Sequence, residues 1–201
     1  MALWYVQGTV MLTNALLMQL ENEWVKVGAP IVGQLRPPAS AESIADLERL
    51  MGGSLHPDIQ VWFAWHDGAS AENPLLRAIG PSGYELLSSA DAVSCREDAL
   101  SSAQMVAEQN DFRVDEVWDQ AWMPLCRFNM GESYLAVHVE TGKIFETFWS
   151  DSDKFTPVAD SLEDVVRLWV SLYQRKHWLW AGNGWVRDFS HDPKAGLQRL
   201  T

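Results

Sequence analysis

Three consecutive strand-like segments constrain the fold of this chain more than any other feature. Trp122–Phe128, Tyr134–Glu140 and Lys143–Trp149 are rich in aromatic and β-branched side chains. A loop at Gly131 joins the first two segments and a Thr141-Gly142 turn joins the last two. Connections this short favour antiparallel neighbours. The sequence therefore predicts an antiparallel meander.

The middle strand carries an alternating pattern. The polar or small residues Tyr134, Ala136, His138 and Glu140 alternate with Leu135, Val137 and Val139. Such alternation is typical of a sheet with one face in solvent. We therefore expect one face of this strand to be solvated.

Helical patterns flank the meander. Capping residues and apolar spacing predict five helices. They cover residues 10–27, Ser40 to Gly52, Pro57 to Asp67, Ser89 or Asp91 to about residue 109, and Ser161 to Tyr173. Residues 75–87 are predicted as two brief strands and a turn, and residues 28–39 as a loop. Because alternating βα units are missing, we predict an α+β fold, an antiparallel sheet meander with helices packed on it.

The length of 201 residues suits a single core. We divide the chain into an N-terminal helix and loop at residues 1–38, an α+β domain at 39–176, and a Trp-rich basic tail at 177–201. The tail is expected to pack on the domain or to extend from it.

Charge is unevenly distributed along the chain, whose formal net charge is −12. Residues 1–165 hold nine basic and 25 acidic side chains, whereas residues 166–201 hold six basic and two acidic ones. Nucleic acids and acidic membrane surfaces both need clustered Lys and Arg, so neither is predicted as a partner. The charge suits a basic partner, or serves solubility alone.

Cysteine usage and the N-terminus indicate a cytoplasmic protein. Cys95 and Cys126 are far apart in sequence, as is typical of lone core thiols. The first 20 residues are uncharged, but polar side chains interrupt them and Glu21 and Glu23 follow. Since a signal peptide or membrane span would be more continuous and flanked by basic residues, we expect an amphipathic helix instead.

Candidates for catalysis are few. His66 beside Asp67 is the best general-base candidate, although neighbours on a helix point in different directions. His138 is a second candidate, and Cys126 could be posed as a nucleophile with it. No histidine has a trusted metal-ligand spacing, and Asp151 with Asp153 offers too few ligands for a cation. No cofactor and no metal are therefore predicted.

Tryptophan is unusually abundant, with 11 residues in the chain. Trp65 lies off the predicted apolar face of its helix, and Trp178, Trp180 and Trp185 lie in the basic tail. Exposed Trp beside basic residues is typical of interface hot spots. Rings folded back onto the sheet or a helix are an equally open interpretation.

The run from Ala39 to Gly68 resembles the N-terminal motif of the SUKH superfamily. This group comprises relatives of yeast cell-wall assembly regulators, many of them bacterial toxin-immunity proteins. Three later blocks also resemble the group: Trp122 to Leu125, the hairpin around Thr141-Gly142, and the opening of the last helix at Ala159. The matching residues are Ser40, Leu47, Glu48, Gly52, Leu55, Pro57, Asp58, Phe63, Gly68, Trp122, Met123, Pro124, Leu125, Gly131, Leu135, Thr141, Gly142, Ile144, Ala159, Ser161 and Leu162.

The resemblance implies an α+β fold with a binding surface and no catalytic centre. Some positions depart from the family pattern: Asp67 stands where Asn is usual, Glu132-Ser133 replaces an Asp, and His138 occupies a position often held by Asp. If those positions bind a partner in relatives, the resemblance alone does not carry that role over to this chain.

Three functions follow as hypotheses. The first is a cytoplasmic immunity protein that binds a basic, nuclease-type toxin. The second is a regulatory scaffold that recruits a partner through its Trp-rich tail, and the third is a small hydrolase using His66 or Cys126. For the first, acidic loop residues and two aromatic anchors are the predicted partner-binding residues. They are Trp65, Asp67, Glu72, Tyr84, Glu85, Glu132, Asp151 and Asp153.

Overall fold

A computed structural model describes residues 11–128, 131, 133–147, 155–188 and 190. These residues form five α-helices and six β-strands. The helices are α1 (Asn14–Lys26), α2 (Ala41–Met51), α3 (Pro57–Trp65), α4 (Ser89–Asn110) and α5 (Leu162–Gln174). The strands are β1 (Tyr84–Leu86), β2 (Trp122–Phe128), β3 (Tyr134–His138), β4 (Ile144–Glu146), β5 (Trp178–Trp180) and β6 (Trp185–Arg187).

The first four strands form one antiparallel sheet in the order β1-β2-β3-β4. Each strand pairs with the next along the chain, so the predicted meander and the α+β fold class are confirmed. The register shifts between Pro124 and Cys126 on β2. Proline has no backbone N–H to donate, and a bulge accommodates it within a ladder.

Local capping chemistry sets several helix ends where the sequence predicts them. The Ser40 hydroxyl accepts from the Ser43 N–H at 3.0 Å, and Ser161 accepts from the Asp164 N–H at 3.1 Å. Gly52 ends α2 with φ 74°, a left-handed conformation that glycine adopts without a Cβ clash. Helix α4 is capped by Ser88, not by Ser89 or Asp91.

Two predictions about the strands are wrong. Residues 134–137 of β3 are all buried, so no face of this strand is in solvent there. Helix α4 packs against the neighbouring strand β2, and the sheet lies within one hydrophobic core. In residues 75–87, a 3-10 helix (Pro74–Leu76) and the single strand β1 replace the two predicted strands. A second 3-10 helix (Pro30–Gln34) lies within the predicted loop.

Helix α1 contributes to the same core as the rest of the chain. Leu17, Leu20 and Trp24 are fully buried and α1 packs against α5. The Leu12 N–H donates to Asp58 Oδ1 at 2.9 Å, which attaches the entry to α1 to the start of α3. The first helix is therefore part of the folded unit rather than an appendage.

The described part of the tail, residues 177–188 and 190, contacts the domain through β5, which packs against α5, and the rest of the tail lies outside the described residues. Strands β5 and β6 pair as an antiparallel hairpin. The Trp178 ring is 2% exposed, packs edge-on against Tyr173 and lies close to Gly80. The rings of Trp180 and Trp185 meet edge to face, with centroids 5.4 Å apart, and both residues are half-buried. The interpretation of rings folded back onto a helix is therefore confirmed for Trp178 and Trp185, whose rings contact Tyr173 on α5.

Candidate partner-binding surface

Helix α4 lies close to the sheet because its inner side chains are small. Ala92, Cys95, Ala99, Ala103 and Ala107 recur at helical spacing and are all buried. Small side chains let a helix approach a sheet closely, here strand β2. The opposite side of this 22-residue helix faces outward.

The outward side of α4 combines acidic and apolar groups. Glu97, Asp98 and Glu108 are exposed, and Met105 between them is 54% exposed. The side chain of Phe112, just beyond the helix, is 56% exposed. We call this set the α4 surface, which comprises Glu97, Asp98, Met105, Glu108, Asp111 and Phe112.

The acids of the α4 surface are not neutralised. Within the described part of the chain, no ion pair joins Glu97, Asp98, Glu108 or Asp111 to a basic side chain. Arg113 is engaged by Asp115. Arg96 lies on the inner side, where its Nη2 donates to the Gln120 carbonyl at 2.7 Å. The α4 surface is therefore strongly negative.

Hydrogen bonds at the end of α4 fix the position of Phe112. Asp111 adopts φ 57° and ψ 38°, a left-handed conformation that Asp tolerates better than most side chains. The backbone N–H groups of Asp111 and Phe112 both donate to the Ala107 carbonyl, the latter at 3.0 Å. This capping pattern holds an aromatic ring in solvent beside the acids.

A groove lies beside the N-terminal half of α4, where α2 packs on it. Its volume is about 590 Å³. Leu47, Leu50 and Val93 give it an apolar floor, and Leu50 is 37% exposed. Asp46 and Arg49, which pair with each other, lie at its rim. The groove can accept an apolar side chain from a partner.

The predicted aromatic anchors on α3 and β1 are not on the surface. Trp65 is only 9% exposed: its ring packs against Trp24 and Trp62, and its Nε1 donates to Glu21 Oε2 at 3.3 Å. Tyr84 is 2% exposed and its hydroxyl donates to Glu146. The predicted exposed positions of Trp65 and Tyr84 are wrong because tertiary packing covers both rings.

Glu85 is also buried, and it lies on strand β1 rather than on a loop. It is 2% exposed and lies 2.9 Å from Arg77 Nε and 3.5 Å from Arg127 Nη2. Two guanidinium groups compensate the buried carboxylate. The prediction that Glu85 lies on a loop is therefore wrong. Its carboxylate instead pairs with two arginines at the edge strand β1.

The remaining predicted residues have mixed positions. Asp67 is half-buried and its Oδ1 accepts from the Ser89 N–H at 2.6 Å, which stabilises the start of α4. Glu72 is exposed on a loop, as predicted. Glu132, Asp151 and Asp153 lie outside the described residues. Among the described residues, neither Asp67 nor Glu72 makes a hydrogen bond or ion pair with a residue of the α4 surface.

Sequence reasoning misses the α4 surface altogether. The sequence predicts the helix itself, but the prediction does not say which side of α4 is buried and which is exposed. The signal that could have found the surface is the run of buried small residues at helical spacing, which leaves Glu97, Asp98, Met105 and Glu108 pointing away. Phe112 could not have been found in this way because it lies beyond the end of the helix, outside the helical spacing.

The candidate catalytic residues lack the geometry of a catalytic pair. His66 Nδ1 contacts the Arg36 carbonyl at 2.7 Å and its Nε2 lies 3.4 Å from Glu21, while Asp67 is engaged elsewhere. Burial raises the pKa of the Cys126 thiol, so the nucleophilic thiolate is disfavoured. His138 pairs with Trp122 in the sheet, four residues from Cys126 along β2. At about 3.3 Å per residue, the two side chains are too far apart to exchange a proton.

No group of three or more His, Cys, Asp or Glu side chains within the described ranges is arranged to hold a metal ion. No described helix has the length and apolar character that crossing a bilayer requires.

A known protein family matches most of the chain. The model of the SMI1 / KNR4 family (SUKH-1) matches residues 38–167, more than half of the chain. The matched region runs from the loop before α2 into α5 and includes the whole α4 surface. It leaves out α1 and the β5–β6 hairpin. No curated protein matches the chain.

Proposed function

Because the chain belongs to the SMI1 / KNR4 family (SUKH-1), we propose that it is a non-catalytic immunity protein that binds and neutralises a basic, nuclease-type toxin. The family contains both toxin-immunity proteins and regulatory proteins, so membership alone does not choose between them. The observation that supports the choice is the α4 surface, in which acids without a basic partner among the described residues lie beside two exposed apolar side chains along α4 and at its C-terminal end.

The charge of the α4 surface suits the active site of a nuclease. An enzyme that cleaves nucleic acid needs Lys and Arg to bind phosphates. The carboxylates of the α4 surface carry negative charge, as phosphates do, and can therefore face the same Lys and Arg side chains of the toxin. Attraction between the opposite charges also speeds association of the two proteins by electrostatic steering. Glu97 and Glu108 are 11 residues apart, which places them on the same side of α4, about 16 Å from each other. That length spans several phosphate positions.

The apolar side chains of the α4 surface add binding free energy to the attraction between charges. Met105 and Phe112 are more than half exposed, and aromatic and Met side chains are enriched at interfaces. Anchors of this kind usually contribute most of the binding free energy, while surrounding polar groups exclude water. The groove between α2 and α4 offers a complementary pocket for one side chain of the toxin.

Co-expression tests the proposed function most simply. The probe is the C-terminal domain of a large secreted protein encoded beside this gene, if that domain arrests growth when expressed alone. We expect the chain to restore growth and to form a 1:1 complex whose affinity falls as salt is raised. Failure to protect and to bind would contradict the proposal. An affinity that does not change with salt would contradict the role of the acids.

A further inference from the structure

Helix α1 exposes a face that no described residue covers. Met18 and Val25 are each 60% exposed and are separated by seven residues, two helical turns. Asn14, Ala15 and Asn22 are exposed on the same side of the helix. Met11, 43% exposed, continues the spacing just before the helix begins. We call Met11, Asn14, Ala15, Met18, Asn22 and Val25 the α1 face.

The α1 face carries no charge, which is unusual for a chain of net charge −12. The nearest acid on its border is Glu21, and its Oε2 accepts from Trp65 Nε1 at 3.3 Å and lies 3.4 Å from His66 Nε2. This carboxylate is therefore turned toward α3. A basic partner has nothing to pair with here, and an acidic membrane surface would find only Lys26.

The α1 face is compatible with two-fold packing, because its two Asn side chains lie symmetrically about Met18. Asn14 and Asn22 lie four residues on either side of Met18, and Met11 and Val25 lie seven residues on either side. If two copies of α1 pack antiparallel about a two-fold axis at Met18, each Asn14 faces Asn22 of the other copy, and Val25 faces the end that carries Met11. Such a pattern, in which residue i contacts j and j contacts i, is what a two-fold interface requires.

We propose that the α1 face is the contact of a homodimer, formed by antiparallel packing of α1 against α1 of a second copy. Two copies of a strongly acidic chain repel each other, and the α1 face is where they approach without opposing like charges. Ala15 allows the two helices to come close, and Asn14 with Asn22 supplies amide hydrogen bonds. A helix of 13 residues is about 20 Å long, so the contact is smaller than the roughly 800 Å² per partner of stable complexes. The dimer is therefore weak and depends on concentration.

Salt distinguishes this contact from toxin binding. Salt screens repulsion between the two acidic bodies, with a screening length of about 10 Å at 0.1 M. The dimer therefore strengthens as salt is raised, whereas the toxin complex weakens. Because the two contacts use different faces, one can fail without the other.

Sedimentation equilibrium of the full chain over a wide concentration range tests the proposal. We expect reversible dimerisation that Met18→Glu weakens at least about tenfold. Gln19→Glu, which adds the same charge beside the α1 face, is the control and should weaken it less. A monomer at every concentration, or a dimer that both variants weaken equally, would overturn the proposal.

Cysteine cross-linking tests the orientation. Two copies of Met18→Cys meet at the two-fold axis and should form a disulfide readily, since Cys95 and Cys126 are buried. Asn14→Cys alone should not, because the two copies of that residue lie about 12 Å apart along the helix axis. A mixture of Asn14→Cys and Asn22→Cys should cross-link. Cross-linking of Asn14→Cys alone in preference to the mixture would contradict the antiparallel arrangement.

Other occupants of the α1 face give different results. If another part of this chain covers it, the protein stays monomeric and Met18→Glu lowers its melting temperature. If a lipid surface covers it, the chain sediments with vesicles of neutral phospholipid and does not dimerise. Either result would overturn the homodimer.

Discussion

The indole Nε1 of Trp24 donates a hydrogen bond of 3.1 Å to the hydroxyl of Tyr173, 149 residues later in the chain. The Tyr173 hydroxyl in turn donates to the Ile79 carbonyl. One buried oxygen therefore connects α1, α5 and the segment before β1. Each of its two partners lies in a different part of the sequence, so this contact joins the N-terminal helix to the family domain.

Tyr173→Phe should destabilise the fold. The substitution leaves the Trp24 N–H and the Ile79 carbonyl buried without a partner, and unsatisfied buried groups cost about 1–3 kcal/mol. Chemical denaturation of the wild type, Tyr173→Phe, Trp24→Phe and the double variant would measure the coupling. Effects of the two substitutions that simply add would contradict the role assigned to this bond.

Trp178→Ala should destabilise the fold by about 3–5 kcal/mol, because it removes a buried ring that fills the space between Gly80 and Tyr173. Val186→Ser on the same hairpin is the control, since Val186 is 43% exposed and should change stability by about 0.5 kcal/mol or less. Thermal melting of both variants is the measurement. Equal melting temperatures would show that the tail does not fold back in solution.

Substitutions in the β5–β6 hairpin can separate an immunity protein from a scaffold that binds through its tail. Deleting residues 177–201 removes a core ring, so lost binding would not identify a binding surface. Val186→Asp with Arg187→Glu is the better variant, because both side chains are exposed. We expect toxin binding to survive it, whereas recruitment of a partner through the tail would not.

Asp58→Asn should alter the pH dependence of stability. Burial raises the pKa of Asp58 above its usual 3.8, and the nearby Glu163 raises it further. The folded state therefore binds the Asp58 proton more tightly than the unfolded state. The free energy of unfolding accordingly falls as pH rises from 3.8 through the raised pKa.

The Asp58→Asn substitution keeps an oxygen that can accept from the Leu12 N–H but removes the titration. The stability of the wild type relative to Asp58→Asn should therefore increase as pH is lowered toward 3.8. Urea denaturation of both proteins over the acid range is the measurement. A difference that stays constant with pH would contradict the raised pKa.

Phe112→Ser should weaken toxin binding with little change in stability. The ring is 56% exposed, so its removal should change the free energy of unfolding by about 0.5 kcal/mol or less. An aromatic anchor at an interface contributes about 2 kcal/mol or more, so the affinity should fall at least about 30-fold. Calorimetric titration with the toxin domain measures it, and an unchanged affinity would remove Phe112 from the interface.

Local sequence chemistry predicts much of this fold. The Ser40 and Ser161 caps and the left-handed Gly52 depend on hydrogen bonds within a few residues, and all three are where the sequence places them. Strand β2 begins and ends as predicted for the same reason, since its aromatic and apolar run is bounded by turn residues. Features of this kind depend mainly on residues that are close together in the sequence.

Features decided by packing are predicted poorly. Alternation along β3 indicates a solvated face, but packing buries Tyr134 and Ala136 on that side. Trp65 lies off the apolar side of α3 when α3 is considered alone, yet α1 supplies Trp24 and Glu21 to cover it. The β5–β6 hairpin depends on contact with Tyr173, which no local pattern reveals.

The candidate site also combines features that the sequence predicts with features that packing decides. The sequence predicts an acidic body and a basic partner, because charge is a sum over residues and needs no structure. It does not predict which acids are free, since Glu85 is buried between two arginines while Glu97 and Glu108 are exposed. Tertiary packing separates these cases, because β1 places Glu85 beside Arg77 and Arg127 while the packing of α4 on β2 leaves Glu97 and Glu108 outside.

The most direct test of the toxin-binding account is the affinity of a charge-reversed α4 surface. Glu97→Lys with Glu108→Lys changes the net charge by the same amount as Glu140→Lys with Asp160→Lys, whose side chains are exposed and lie outside α4. Measured against the same toxin domain at low salt, the first variant should bind at least about 100-fold more weakly than the wild type, and the second less than about tenfold. Equal losses in the two variants would contradict the account, because only total charge, and not the α4 surface, would then matter.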